Sequence, residues 1–221
     1  MESIFTEEIL SEKKYVQPAL KWPASFLSYI FHPIFVPLYA IAFLVYVHPS
    51  YFTGFSAKRK LFTVLISAYN LIFYPLLSIV LLKALGFIDS VFLRTKRDRI
   101  IPYMACGIFF FWAYTVFKKQ EMYPPIMASF ILGIFLAASA GLIANIYFKI
   151  SMHAIGMGGW LGLFWVVAQS NTMLMTWPIA LVILCTGIVC TARLLITDHT
   201  EKDIYAGLII GFLCQWIASV V

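Results

Sequence analysis

The residues best suited to chemistry in this chain are Arg193, His199 and Asp203, in the segment ARLLITDHTEKDIYAG. His199 and Asp203 are four residues apart, so on a helix that begins near Asp198 they would share one face. Asp203 would then accept a hydrogen bond from one ring nitrogen and leave the other nitrogen free as a nucleophile or base. The spacing therefore predicts a reactive histidine that is oriented by a carboxylate.

The same segment carries signals for a helix start and for anion binding. Asp198, followed three residues later by Glu201, is typical of a capping box. A histidine in the first turn of that helix would lie beside free backbone N–H groups and the positive end of the helix dipole, which favour an anion. Arg193, at the end of the preceding helix, adds a planar guanidinium that can grip a phosphate.

Two further polar clusters have complementary chemistry. KISMHA contains Lys149, Ser151 and His153. We predict that Ser151 is the N-cap of the following helix, so that its hydroxyl, nearby backbone N–H groups and the imidazole of His153 face one small oxyanion. The segment RTKRDRIIP supplies cations, among them Lys96 and Arg99. Such a cluster is also common as a simple topology signal beside a membrane span.

Composition indicates which elements must position these clusters. Of the 221 residues, 62% are hydrophobic and 12% are charged. In soluble domains roughly 45–50% of residues are apolar and about 25% are charged. A helix needs about 20 mostly apolar residues to cross a bilayer core about 30 Å thick, and such runs recur along the chain. They are continuous rather than alternating, so the predicted fold class is all-α, a polytopic transmembrane helical bundle.

Seven apolar runs predict about seven membrane-spanning helices, and six at the least. The runs are 24–47, 61–85, 100–117, 124–148, 154–169, 177–196 and 204–221. The connections between them are short, so residues 23–221 form a single transmembrane domain that follows a polar segment, 1–22. In that segment Ile4, Phe5, Ile9 and Leu10 lie among charges, and either a short amphipathic interfacial helix or a frayed tail fits them.

Seven spans would bring all three polar clusters to one face of the membrane, because they follow the second, fourth and sixth spans. Eleven of the 16 Lys and Arg residues also lie on that face, and the positive-inside rule then puts the face in the cytoplasm. If five of these cations are instead explained by phosphate binding, the count is six against five. That count does not decide the orientation, but Lys13, Lys14 and Lys21 beside the first span favour a cytoplasmic N-terminus and hence a pocket that faces the cytoplasm.

Other residues favour structural interpretations. The four cysteines lie inside apolar runs without a C-x-x-C pair, which argues against disulfides and against a structural zinc site. The net charge of +6 fits basic residues that flank spans, so we predict no nucleic-acid partner. His32 and His48 each precede a proline and are interpreted as interface or turn residues.

The motifs resemble those of the type 2 phosphatidic acid phosphatases, membrane lipid phosphatases that are related to vanadium haloperoxidases. The family's third motif is S-R-x5-H-x3-D, and Arg193, His199 and Asp203 match it in every position except the first, where Ala192 stands. The second motif, P-S-G-H, reads Ile150-Ser151-Met152-His153 here. The first, K-x6-R-P, has KRDRIIP from residue 96 to 102 as its nearest counterpart. The resemblance covers roughly residues 149–215 strongly and the earlier part weakly.

The resemblance implies a phosphatase that needs no metal or other cofactor. His199 would attack phosphorus to form a phosphohistidine, oriented by Asp203, and His153 would protonate the leaving oxygen. The phosphoryl oxygens would be held by Lys96, Arg99, Ser151 and Arg193. The implied substrate is a lipid phosphate monoester or diphosphate in the bilayer, and the implied location is a bacterial inner membrane.

Two non-enzymatic functions remain open from the sequence. One is a catalytically inactive protein that binds lipid phosphates, which the altered first and second motifs would allow. The other is a small transporter, although coupled transporters usually place polar residues at the membrane midplane rather than at one face. Neither the identity of the lipid nor the oligomeric state can be read from the sequence.

Overall fold

The computed structural model describes residues 18–88, 90, 96–196 and 199–221, without the side chains of residues 18, 96 and 97. These residues form eight helices and no β-strand. In chain order the helices are α1 (Pro18–Ile30), α2 (Val36–Val47), α3 (Ala57–Ala84), α4 (Lys96–Lys118), α5 (Pro125–Tyr147), α6 (Met152–Gln169), α7 (Thr176–Ile196) and α8 (Glu201–Val220). The prediction of an all-α chain is confirmed. The apolar residues Ile4, Phe5, Ile9 and Leu10 lie outside the described residues.

Five of the described helices are long and apolar enough to cross a bilayer: α3, the Asp98–Lys118 part of α4, α5, α7 and α8. Only 22–39% of the residues in their most apolar stretches are buried inside the protein. Most of this apolar surface therefore faces outward, where water would be unfavourable and lipid hydrocarbon is not. These helices support the prediction of an integral membrane protein.

The first predicted span, 24–47, is two helices rather than one. α1 ends at Ile30 and α2 begins at Val36, and the chain turns at Pro33 between them. Proline has no N–H to continue a helix, and it disfavours helical geometry in the preceding residue. α2 consists of seven α-helical and five π-helical residues, which span about 20 Å at most. The predicted count of about seven spans is therefore not confirmed.

The two ends of the bundle are packed differently. At one end, the connections that follow α2, α4 and α6 surround fully buried apolar side chains, including Phe52, Phe117 and Met127. The connections between α3 and α4, α5 and α6, and α7 and α8 lie at the other end. These are the three connections that carry the polar clusters.

α6 and α8 form the most extensive helix–helix contact. Gly211 of α8 lies directly against the backbone carbonyl of Ile155, and Gly158 of α6 faces the backbone of α8 in the same way. A Cβ at either position would overlap backbone atoms, so the close approach depends on glycine. At the start of the two helices the Ser151 N–H donates to the Asp203 carbonyl oxygen at 3.4 Å. The glycine contact therefore brings two of the polar clusters together.

We expect Gly211→Ala to destabilise the protein, because the new methyl group meets a backbone carbonyl that cannot rotate away. Overpacking of this kind costs about 1–3 kcal/mol. Gly187→Ala in α7 is the matched control, since nothing lies within 4 Å of the position its Cβ would take, and removing a helical glycine there should be neutral or stabilising. Thermal unfolding in detergent compares the two. Equal midpoints for both variants would show that the α6–α8 approach does not depend on Gly211.

Candidate active site

The three polar clusters meet at one end of the bundle. Arg99 Nη1, at the start of α4, donates to the Ile150 carbonyl oxygen at 3.1 Å. His199 Nδ1 lies 3.2 Å from the Lys149 carbonyl oxygen. The segment before α6 thus contacts both the start of α4 and the connection that precedes α8. These contacts join residues about 50 positions apart in the chain.

A cavity of about 930 Å³ opens between these segments. Arg99, His153, Arg193 and His199 all line it, and most of its remaining wall is apolar. It extends to Phe130, in the second turn of α5 and therefore towards the opposite end of the bundle. A cavity with a charged end and an apolar interior matches the shape and polarity of an amphiphile.

His199 precedes α8 instead of lying in its first turn, which corrects the sequence prediction. Its Nδ1 is 3.8 Å from Asp203 Oδ2, beyond hydrogen-bonding distance, and its nearest acceptor is the Lys149 carbonyl oxygen. A carbonyl can only accept, so Nδ1 carries the proton and Nε2 keeps its lone pair. The backbone of Lys149 therefore fixes the tautomer of His199, a role that the sequence analysis gave to Asp203. Asp203 contributes a nearby negative charge.

Asp203 instead completes the N-terminal cap of α8. Its Oδ2 accepts from the Thr200 N–H at 2.8 Å, and its own N–H donates to Thr200 Oγ1 at 3.3 Å. This reciprocal pair is a capping box. The predicted box of Asp198 and Glu201 is wrong in register, because Glu201 is the first residue of the helix; Asp198 itself lies outside the described residues.

The pKa of His199 is lowered from 6.5 to about 4. Burial is the main cause, since it disfavours the imidazolium, and the cations Arg193, Arg99 and Lys149 lower the pKa further. The Asp203 carboxylate opposes them by raising it. At neutral pH His199 is therefore uncharged, with a lone pair on Nε2, which is the form that a nucleophile requires.

In the second cluster, His153 lines the cavity, whereas Ser151 does not. His153 lines the cavity, and its Nε2 lies 3.1 Å from the Ser28 carbonyl oxygen in α1, so the neutral ring has its proton on Nε2 and its lone pair on Nδ1. Ser151 is fully buried, does not line the cavity and caps α6 by accepting from the Ala154 N–H at 3.4 Å. The predicted N-cap is confirmed, but the Ser151 hydroxyl is not part of the cavity lining, where we predicted that it would face an oxyanion.

Two arginines supply positive charge to the cavity. Arg99 is buried, with 7% of its surface exposed, and Arg193 lies near the end of α7. Arg193 acts electrostatically on His153 and on His199, so it is close to both predicted reactive rings. Lys96 is the first residue of α4, but its side chain lies outside the described part of the structure.

His32 also lines the cavity, which sequence reasoning missed. Its interpretation as a turn residue is correct, because it lies in the turn between α1 and α2. Its ring centroid is 5.4 Å from that of His153, with the two rings at 79°. The available signal was an ionisable residue inside an apolar run, which in membrane proteins is a reason to expect function.

Within the described residues, no three side chains among His, Cys, Asp and Glu are grouped so that they could hold a metal ion. The cavity wall instead offers imidazole and guanidinium groups, which suit an anion.

In the comparisons with known proteins, no family model matches the chain, and no curated protein or solved structure matches it significantly.

Proposed function

We propose that this protein is an integral membrane phosphatase that hydrolyses a lipid phosphate monoester or diphosphate through a phosphohistidine intermediate. The observation that carries the proposal is that Arg99, Arg193 and His199 line the same cavity, whose remaining lining is mostly apolar. The arginines suit a phosphate, and the apolar interior suits a lipid chain. The motif resemblance at Arg193, His199 and Asp203 adds independent support.

We further propose about seven membrane crossings and a location in a bacterial inner membrane. The five long helices would supply five of the crossings, and α6 and the α1–α2 pair would supply the other two.

In the first step His199 Nε2 attacks phosphorus while the bond to the leaving oxygen breaks. The proton stays on Nδ1, and the hydrogen bond that it donates to the Lys149 carbonyl oxygen keeps the ring oriented as the ring gains positive charge. Asp203, 3.8 Å from Nδ1, stabilises that charge electrostatically. The negative charge of the bound phosphate favours uptake of a proton by His153, which then donates from Nδ1 to the leaving oxygen. The leaving group departs as a neutral alcohol, or as the lipid monophosphate if the substrate is a diphosphate.

In the second step water hydrolyses the phosphohistidine. His153, now neutral, accepts a proton from the attacking water as the P–N bond breaks, and inorganic phosphate leaves with His199 restored. Arg99 and Arg193 hold the phosphoryl oxygens through both steps, because the catalysis of phosphoryl transfer is mainly positioning and stabilisation of charge. We include Lys96, the first residue of α4, as a further phosphate-binding cation. Ser151 acts indirectly, by capping α6 and holding His153 in place.

The test is phosphate release by the purified full-length protein in detergent, with EDTA present throughout. The substrates are phosphatidic acid, phosphatidylglycerol phosphate, a polyprenyl diphosphate and lipid A, which present the same chemical group on different apolar parts. We expect at least one to be hydrolysed at a rate that EDTA does not change.

Separation of inner from outer membranes in the expressing cells tests the location. Lipid-phosphate binding without turnover would establish the inactive binding protein instead, and loss of activity in EDTA would contradict the histidine mechanism. Uptake of a solute into proteoliposomes without phosphate release would identify a transporter.

A further inference from the structure

His32 occupies a position that the break between α1 and α2 creates. In a continuous helix, Pro33 would remove a backbone hydrogen bond; here the N–H groups of Phe35 and Val36 instead donate to the His32 carbonyl oxygen, at 2.8 and 3.3 Å. The His32 ring lines the cavity. If it pointed outward from this apolar run, it would be exposed to lipid. The break therefore delivers an imidazole to the site.

The local hydrogen bond determines which nitrogen of His32 is available. The Ile34 N–H donates to His32 Nδ1 at 3.4 Å. An imidazole nitrogen that accepts a hydrogen bond has no proton, so the neutral ring carries its proton on Nε2. That nitrogen makes no hydrogen bond to any residue that the structure describes, and the ring is only partly buried. His32 thus has a free N–H donor in the cavity.

His32 and His199 contact different parts of the site. The His32 ring centroid lies 5.4 Å from that of His153, whereas His199 contacts the Lys149 carbonyl oxygen. His153 interacts with both of the other histidines and is in ring contact with His32. In phosphoryl transfer the attacking and leaving atoms lie roughly in line across the phosphorus. With His199 as the nucleophile and His153 as the proton donor, we place the leaving oxygen towards His153 and the adjoining His32.

We propose that His32 is a further catalytic residue, whose Nε2–H donates a hydrogen bond to the bridging oxygen of the bound phosphate ester; this rests on the proposed phosphatase function. As the P–O bond breaks, its electron pair moves to that oxygen, and the hydrogen bond from His32 strengthens as negative charge develops there. The proton that neutralises the alcohol still comes from His153. His32 accordingly matters most when the leaving alkoxide is strongly basic.

A purely structural role for His32 makes a different prediction, and His48 provides the matched control. His48 also precedes a proline, and its Nδ1 accepts the Ser50 N–H at 3.3 Å, just as His32 accepts that of Ile34. His48 belongs to the opposite end of the bundle, where it contacts Thr172, and does not line the cavity. If His32 only stabilises its turn, changing either histidine should have the same kind of effect.

The substitution His32→Asn separates the two roles. The Asn side-chain oxygen can accept the N–H two residues on, as in an Asx turn, so the turn is kept while the Nε2–H donor is lost. His32→Gln restores an N–H near the Nε2 position. We would measure kcat and KM for the wild-type protein, these two variants and His48→Asn. The substrates are dioctanoyl phosphatidic acid, whose alkoxide leaving group is strongly basic, and p-nitrophenyl phosphate, whose leaving group is weakly basic.

We expect His32→Asn to lower kcat for the lipid phosphate about 10- to 100-fold, the value of a hydrogen bond to a charged group, and to change p-nitrophenyl phosphate turnover by less than about threefold. His32→Gln should recover part of the loss, and His48→Asn should leave the ratio of the two rates unchanged. Equal losses on both substrates would overturn the role of His32 and leave the phosphatase function standing. Absence of phosphate release by the wild-type protein would instead reject the proposed function, and with it this role.

Discussion

Replacing His199 with alanine is expected to abolish turnover, with kcat reduced by about 10⁴-fold or more, as when other covalent nucleophiles are removed. No other described histidine combines an Nδ1 that contacts a backbone carbonyl in this way with a free Nε2, in the cavity that both arginines line. The measurement is phosphate release from the best lipid substrate. A rapid quench at alkaline pH, followed by mass spectrometry, should detect the phosphohistidine in the wild-type protein and not in the variant.

Ser151→Ala is the matched comparison for this loss. The hydroxyl of Ser151 caps α6 and does not line the cavity. Its removal should therefore lower the free energy of unfolding by about 1 kcal/mol and reduce turnover only severalfold. The two variants thus separate direct participation in the reaction from support of the helix that carries His153. Similar residual activity in both variants would make His199 a phosphate ligand and would remove the covalent mechanism.

The positions of the long helices were predictable because a bilayer imposes a length on each apolar run. The five helices that are long enough to cross it coincide with predicted runs, with boundaries that differ by a few residues. Convergence of the polar clusters was predictable for a related reason, since alternate connections of an up-and-down bundle lie at the same end. Neither inference needed side-chain detail.

The register at the start of α8 was not predictable, because the sequence offers two capping boxes. Asp198 with Glu201 and Thr200 with Asp203 have the same spacing and comparable cap propensity. The chosen register lets the Asp203 carbonyl oxygen accept from the Ser151 N–H, a contact between segments that are distant in the chain. Choosing between the boxes therefore required the packing of α6 against α8, which local spacing does not reveal.

The role of the Lys149 backbone was hidden for a similar reason. Sequence reasoning looks for side chains, and Asp203 at four residues from His199 is the natural partner on a helix. Once His199 lies before the helix, the carboxylate turns towards the Thr200 N–H, and a main-chain carbonyl replaces it at Nδ1. No residue type at position 149 could have indicated this, because every residue there carries the same carbonyl.

Arg193 is expected to have the second largest effect, with Arg193→Ala lowering kcat/KM for the lipid phosphate about 10³- to 10⁵-fold, the range for an arginine that stabilises a transferring phosphoryl group. Arg193→Lys keeps the charge but loses the planar fork, and should recover only part of the activity. Arg59→Ala is the control, because Arg59 is exposed at the start of α3, at the opposite end of the bundle. Activity of Arg193→Ala within about threefold of wild type would exclude contact between Arg193 and the phosphate.

The pH dependence of these variants separates the charge of Arg193 from its geometry. Arg193 is one of the groups that lower the pKa of His199, together with burial, Arg99 and Lys149, while Asp203 raises it. Removing the guanidinium therefore raises that pKa, so in Arg193→Ala the fall in kcat/KM on acidification, as His199 becomes protonated, should begin at a higher pH than in the wild-type protein. Arg193→Lys retains a cation, and its acid limb should stay close to that of the wild type even though its rate is lower. An acid limb that is identical in all three proteins would mean that the titration of His199 does not control the reaction, and the nucleophile would have to be sought among the other groups that line the cavity.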